Sequence, residues 1–158
     1  MKLSTRHAAL AAVVTLAVAG LGGLALAQDK EAAIKNRETL MKGQGKDVGA
    51  VKAYIDGKGE LAQAEAGAAS LAQSTKKIPE VFPPGTGGPN SDGKYATKPA
   101  IWTDWNKFLD AQKTAADKAE VLLVAVKSGD KAKIEAAFGD LGKNGCGGCH
   151  ETFREKLN

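Results

Sequence analysis

Apolar positions recur at helical spacing in four separate stretches of this chain. From about Lys30 to Ile55, Ile34, Met41, Val48 and Ile55 return every seven residues, with Val51 beside them. A second stripe, Leu61, Ala64, Ala68, Leu71, Thr75 and Ile78, advances in alternating steps of three and four. A third runs through Ile101, Trp105, Phe108, Gln112, Ala115, Ala119, Leu122 and Val126. Each is the seam of a helix that packs along its length against other helices. A fourth helix is predicted from about Asp130 to Lys156, carrying Ile134, Phe138, Leu141 and Phe153. No alternating β-branched runs compete with these periods, so the pattern predicts an all-α domain.

Punctuation between the stripes supports the division. All five prolines fall between Pro79 and Pro99, with several glycines among them, which predicts a long irregular loop between helices two and three. Pro99 suits the first turn of the third helix, and Gly129 suits its C-terminal cap. Glycines inside the predicted helices are harder to explain. Gly43, Gly45 and Gly49 follow Met41, and the single seam from position 34 to 55 favours a helix that continues through them. Gly142, Gly145, Gly147 and Gly148 lie in helix four, each costing up to about 1 kcal/mol relative to alanine. Either a flat ligand approaches the backbone there, or the helix breaks near Gly142 and restarts.

The chemistry lies inside that last glycine cluster. Cys146-Gly147-Gly148-Cys149-His150 is the C-x-x-C-H signature of c-type haem attachment. Each thiol can add to a vinyl group of one haem c per chain, and the adjacent histidine becomes an axial ligand of the iron. On a helix Cys146, Cys149 and His150 share one face, so a short segment can both anchor the porphyrin and ligate its metal. A thioredoxin-like pair would be expected near a βαβ pattern, which is missing from the sequence. A structural zinc site needs four ligands, and the chain has only two cysteines.

The first residues change the count of ligands. Residues 1–27 read as a cleavable secretory signal peptide: Lys2 and Arg6 are basic, Ala8 to Ala19 is apolar, and Ala25-Leu26-Ala27 forms an A-x-A cleavage site. Gly20, Gly22 and Gly23 interrupt the run and argue against a retained anchor. Residues 28–158 then form one domain. Since haem of this kind is attached after export, a periplasmic protein is expected, with no stable membrane insertion after cleavage.

The 22 basic and 18 acidic residues fall to 20 and 18 without Lys2 and Arg6, a formal +2. Two haem propionates would cancel that charge, so no nucleic-acid partner is implied. Cleavage also removes Met1 and His7, leaving Met41 and His150 as the only methionine and histidine. Bis-histidine ligation within one chain is thereby excluded. The sixth position falls to Met41, to a less usual ligand such as lysine, or to no protein ligand at all. Met/His ligation saturates the iron and suits electron transfer, whereas an open position binds small gases.

Several segments together resemble the class II c-type cytochromes, the cytochrome c' family: Ala33 to Arg37, Ile78 to Phe82 with Gly85-Thr86, Ile101 to Asp104, Ala136 to Gly139, and Cys146 to Arg154. The resemblance spans essentially the whole mature chain. It implies an antiparallel four-helix bundle with haem near one end. It also implies that the residue four after the first-helix arginine, here Met41 after Arg37, faces the distal side of the haem. Leu40-Met41-Lys42 is more similar to the low-spin cytochrome c-556 branch, in which a methionine ligates the iron, than to the five-coordinate branch that binds nitric oxide or carbon monoxide. By the same resemblance Arg37 would pair with a haem propionate and Arg154 would lie near the proximal imidazole. The implied role is a periplasmic electron carrier rather than an enzyme, in transient contact with redox proteins, with a five-coordinate gas-binding cytochrome c' as the alternative. Relatives' dimers leave a homodimer open here, and the alanines at 62, 66 and 69 suit either a second copy or a monomer's surface.

Overall fold

The computed structural model describes residues 19–158, with side chains from Asp29 onward. The predicted basic leader and most of its apolar stretch lie outside the described residues. Four helical rods make up the bundle. α1 (Ala19–Ile55) runs unbroken through Gly43, Gly45 and Gly49, as its single seam predicts. It begins at Ala19, earlier than the predicted Lys30.

α2 (Leu61–Ser74) returns along α1 at close range. A Cβ on Gly67 would stand 2.8 Å from the carbonyl oxygen of Asp47, so glycine is what permits that approach. Ser70 Oγ donates to Asp47 Oδ2 at 2.5 Å across the same contact. The second helix then tightens into a 3₁₀ segment (Thr75–Val81) that includes Pro79, instead of remaining α-helical to Ile78.

The predicted irregular loop proves to be partly ordered as sheet. β1 (Gly88–Pro89) pairs antiparallel with β2 (Tyr95–Thr97), and β2 pairs antiparallel with β3 (Arg154–Lys156) from the chain's end. Only a few ladder bonds are involved, which is why no long alternating run announced them. The fourth helix therefore does not extend to Lys156 but stops at Phe153, where Arg154 becomes extended (φ −119°, ψ 143°).

The third rod is interrupted near its start. α3 (Ala100–Thr103) is separated from α4 (Trp105–Ser128) by Asp104 at φ −136°, ψ 64°. The Asp104 carboxylate accepts from Lys107 N–H and so caps the restarted helix. At the far end Gly129 takes φ 67°, the left-handed C-cap anticipated from sequence.

The fourth rod neither runs as a uniform α-helix nor breaks. α5 (Lys131–Asp140) passes into a π-helical stretch (Leu141–Gly147) and then into α6 (Gly148–Phe153). Lys118 of α4 pairs with Asp140 at 2.6 Å, and Asn144 donates to the same carboxylate, which pins the start of the wide turn. A Cβ on Gly145 would meet Leu141 Cδ1 at 2.9 Å and Ala115 Cα at 3.4 Å. Glycine there lets the π stretch lie tightly on α4. Among the described residues no helix is long and apolar enough to cross a membrane.

Candidate haem site

Two buried clusters fill the bundle. One combines Val51, Ala64, Ala68, Leu71, Ala119, Leu122, Ala125, Val126, Ile134, Ala137 and Leu141. The other gathers Ile78, Phe82, Ile101, Phe108 and Phe153. A cavity of ≈ 410 Å³ lies where they meet, walled by residues of both.

The motif residues open onto this cavity. Cys146 ends up in the π stretch and packs against the aliphatic cluster, whereas Cys149 and His150 stand on α6 and Cys149 packs against the aromatic one. All three line the cavity. Both thiols are free and half-buried. Burial raises the Cys146 thiol above its ordinary value and takes Cys149 to about 11, with Cys146 adding to the latter. The imidazole of His150 is held down to about 4, first by burial and then by the charge of Arg154. A neutral imidazole is the form that ligates iron.

Met41 reaches the same cavity from α1 and packs against the aromatic cluster. Gly45 and Gly142 also line the wall, and a Cβ at either would touch nothing within 4 Å. They leave open room beside Met41 and beside the π stretch. An apolar slot with two thiols, one neutral imidazole, one thioether and two bare backbone positions fits a covalently held haem. The donor set of nitrogen and sulfur is that of haem iron.

Arg37, expected at a haem propionate, is held by the crossover loop at the cavity wall. It is only 5% exposed. Its guanidinium donates to Thr86 O and Oγ1, Nε donates to Val81 O, and the group stacks 4.2 Å over the Phe82 ring. Burial lowers it to about 10. Arg37 thus fastens the crossover loop to α1 while also lining the cavity. Arg154 is exposed and belongs to β3, not to the helix of His150, yet it too lines the cavity.

Residues 32–154 match the family model described as Cytochrome C'. The cytochrome c' of Pararhodospirillum photometricum is 34% identical over 126 residues, which cover 79% of this chain and 98% of that one. The chain belongs to the cytochrome c' family. The cytochrome c-556 of Agrobacterium tumefaciens is equally similar, 34% identical over 78% of this chain and 97% of its own. Among solved structures, a nitric oxide complex of a variant cytochrome c prime from Alcaligenes xylosoxidans superposes with a TM-score of 0.70. It is 29% identical over 80% of this chain and 97% of that one.

As a cytochrome c' chain with the C-x-x-C-H motif, the protein is of the haem c type. Sequence reasoning missed the loop side of its site. Val81 and Thr86 hold Arg37 in part through backbone oxygens, which any residue supplies, and the Thr86 hydroxyl that also accepts from it is one of several small polar groups in the loop with nothing local to mark it. Phe82 entered only within the family-like segment Ile78 to Phe82, with no role at the site. An aromatic residue next to Pro83-Pro84 was the available signal, since it needs burial in a segment otherwise polar.

Proposed function

We propose that Cys146 and Cys149 carry one haem c by thioether bonds, that His150 is its axial ligand, and that Met41 completes the coordination of a periplasmic electron carrier. The observation that carries this reading is the position of Met41. It is the only methionine among the described residues, and it lines the cavity that His150 lines. When bound, haem supplies an iron that exchanges one electron between ferric and ferrous forms. The chain's part is to keep water out with apolar walls and to keep the ligands in place in both oxidation states.

Arg37 has no carboxylate within ion-pair distance among the described residues, although its charge is buried. A haem propionate is the acid that would pair with it, a contact stronger than the neutral ones it makes to Thr86. Residues 1–27 are proposed as the export signal. Ala62 and Ala66 on α2 are exposed and Ala69 half-buried, which suits a helix packed by a second copy.

A second reading has its own support. Relatives named cytochrome c' outnumber those named c-556, and a nitric oxide complex superposes on this chain. By the weight of names this reading is the better supported of the two. Met41 would then pack over an open iron without bonding to it, consistent with its contact with the aromatic cluster.

Optical spectra of the purified holoprotein, ferric and ferrous, with and without carbon monoxide, separate the two. A low-spin spectrum with a weak far-red sulfur-to-iron band, unmoved by the gas, establishes Met41 as ligand, and Met41→Leu should abolish that band and admit carbon monoxide. A high-spin spectrum that shifts at once with the gas overturns the electron-carrier reading in favour of gas binding.

A further inference from the structure

Arg154 is the residue whose setting changed most between sequence and structure. Read as helical, it would sit one turn beyond His150 and be free to swing into solvent. In the structure the chain turns extended after Phe153, and Arg154 enters the sheet opposite Thr97. Directly opposed residues of an antiparallel pair share a face, and so do residues two apart on one strand. Tyr95, two before Thr97 and opposite Lys156, therefore lies on the same face as Arg154 and diagonal to it. Its ring takes the guanidinium at 4.4 Å from the ring centre.

No carboxylate lies within ion-pair distance of Arg154 among the described residues, and the Tyr95 ring is what its guanidinium rests on. The backbone around it is tied down on both sides. Lys98 N–H donates to Phe153 O at 2.9 Å, and Leu157 N–H donates to Lys94 O at 2.9 Å. Arg154 nevertheless lines the cavity with His150, and its charge is felt at the imidazole.

We propose that Tyr95 is a positioning residue: by holding the Arg154 guanidinium on its ring, it fixes a positive charge beside the axial imidazole and so raises the reduction potential of the haem. This rests on the haem-and-His150 reading but not on whether Met41 is bonded to iron. The sign follows from charge alone. Ferric iron carries one more positive charge than ferrous, so a fixed cation nearby disfavours the oxidised form. A cation free to move into water is screened and acts less. The crossover loop, through one tyrosine, thus sets an electrical property of a site whose ligands lie on other elements.

The test is a double-substitution cycle read by redox titration of the holoprotein, with the Arg154 side-chain resonances followed by NMR. Tyr95→Leu is expected to lower the midpoint potential and to remove the ring-current shift of the guanidinium N–H. Tyr95→Phe, which keeps the ring, should preserve both and controls for damage to the sheet. In an Arg154→Gln background, Tyr95→Leu should leave the potential where Arg154→Gln alone puts it. An equal shift with and without Arg154, or no shift from Tyr95→Leu in the wild-type background, overturns the proposal. Failure of the underlying reading looks different, because a chain without covalent haem gives no titration at all.

Discussion

One end of the bundle interior is filled by alanine and branched aliphatics, the other by phenylalanine rings. In the first, Ala64, Ala68 and Ala119 are completely buried beside Val51, Leu122, Val126 and Ile134. Small side chains bring helix axes together, and Gly67 brings α2 closer still to α1. In the second, Phe108 stands at the centre, with Phe82 at 5.0 Å, Trp105 at 5.1 Å and Phe153 at 5.3 Å between ring centres. Large rings hold the rods apart and bound a space instead of closing it. The fold is secured where the residues are small, and the ligand site opens where they are large. The two thiols straddle this divide, Cys146 against the aliphatic cluster and Cys149 against the aromatic one.

The largest test of that contrast removes what the cavity is built to hold. With Cys146→Ala and Cys149→Ala together, covalent haem should be lost entirely, as absorbance left on the protein after acid-solvent extraction will report. Amide exchange should then quicken around Phe82, Phe108 and Phe153, while α2 and α4 amides near Ala68 and Leu122 keep the strongest protection. Equal loss at both ends would break the comparison.

Single core truncations sharpen it. Phe108→Ala should cost about 3–5 kcal/mol and also disturb the haem spectrum, because Phe108 lines the cavity. Leu122→Ala should cost about 2–5 kcal/mol in urea unfolding and leave the spectrum unchanged, because Leu122 packs only within the aliphatic cluster. A spectral change from Leu122→Ala would mean that the two ends are not separable.

The smallest expected effect concerns the close helix approach. Alanine at Gly67 would gain up to about 1 kcal/mol of helix propensity. Against that, its Cβ would meet the Asp47 carbonyl, backbone that cannot rotate away, at 2.8 Å. Overpacking of this kind typically costs about 1–3 kcal/mol, so Gly67→Ala should lower the melting temperature slightly with no change in spectrum. A neutral or raised melting temperature would show that α1 and α2 can part at no cost.

Much of the frame was legible because it follows from local repetition. Met41 and Val48 share a seam that runs unbroken through three glycines, and the seam placed Met41 on the face that meets the cavity. Gly129 as a cap was readable from the end of a periodic stretch, and φ 67° is what that reading requires. The C-x-x-C-H run was readable because its function depends on spacing within five residues. Seam counting was less reliable at Ile34, which is half-buried, while Ala33 and Arg37 on the neighbouring face are the buried positions. The burial of Arg37 against the crossover loop was not legible, because its partners, Thr86 and Phe82, lie more than forty positions away.

The sequence by itself determined the four helical rods, the place of the long crossover and the C-x-x-C-H run. Each of these depends on periods or spacings of at most a few turns, which side-chain size and backbone geometry set locally. Only the tertiary structure decided that the fourth rod widens into a π stretch at Leu141, that Asp104 breaks the third, and that the crossover loop pairs with the chain's end as β2 and β3. Three-residue strands have no stability of their own. They form because packing of the rods brings Tyr95 to Thr97 alongside Arg154 to Lys156, within reach of ladder hydrogen bonds.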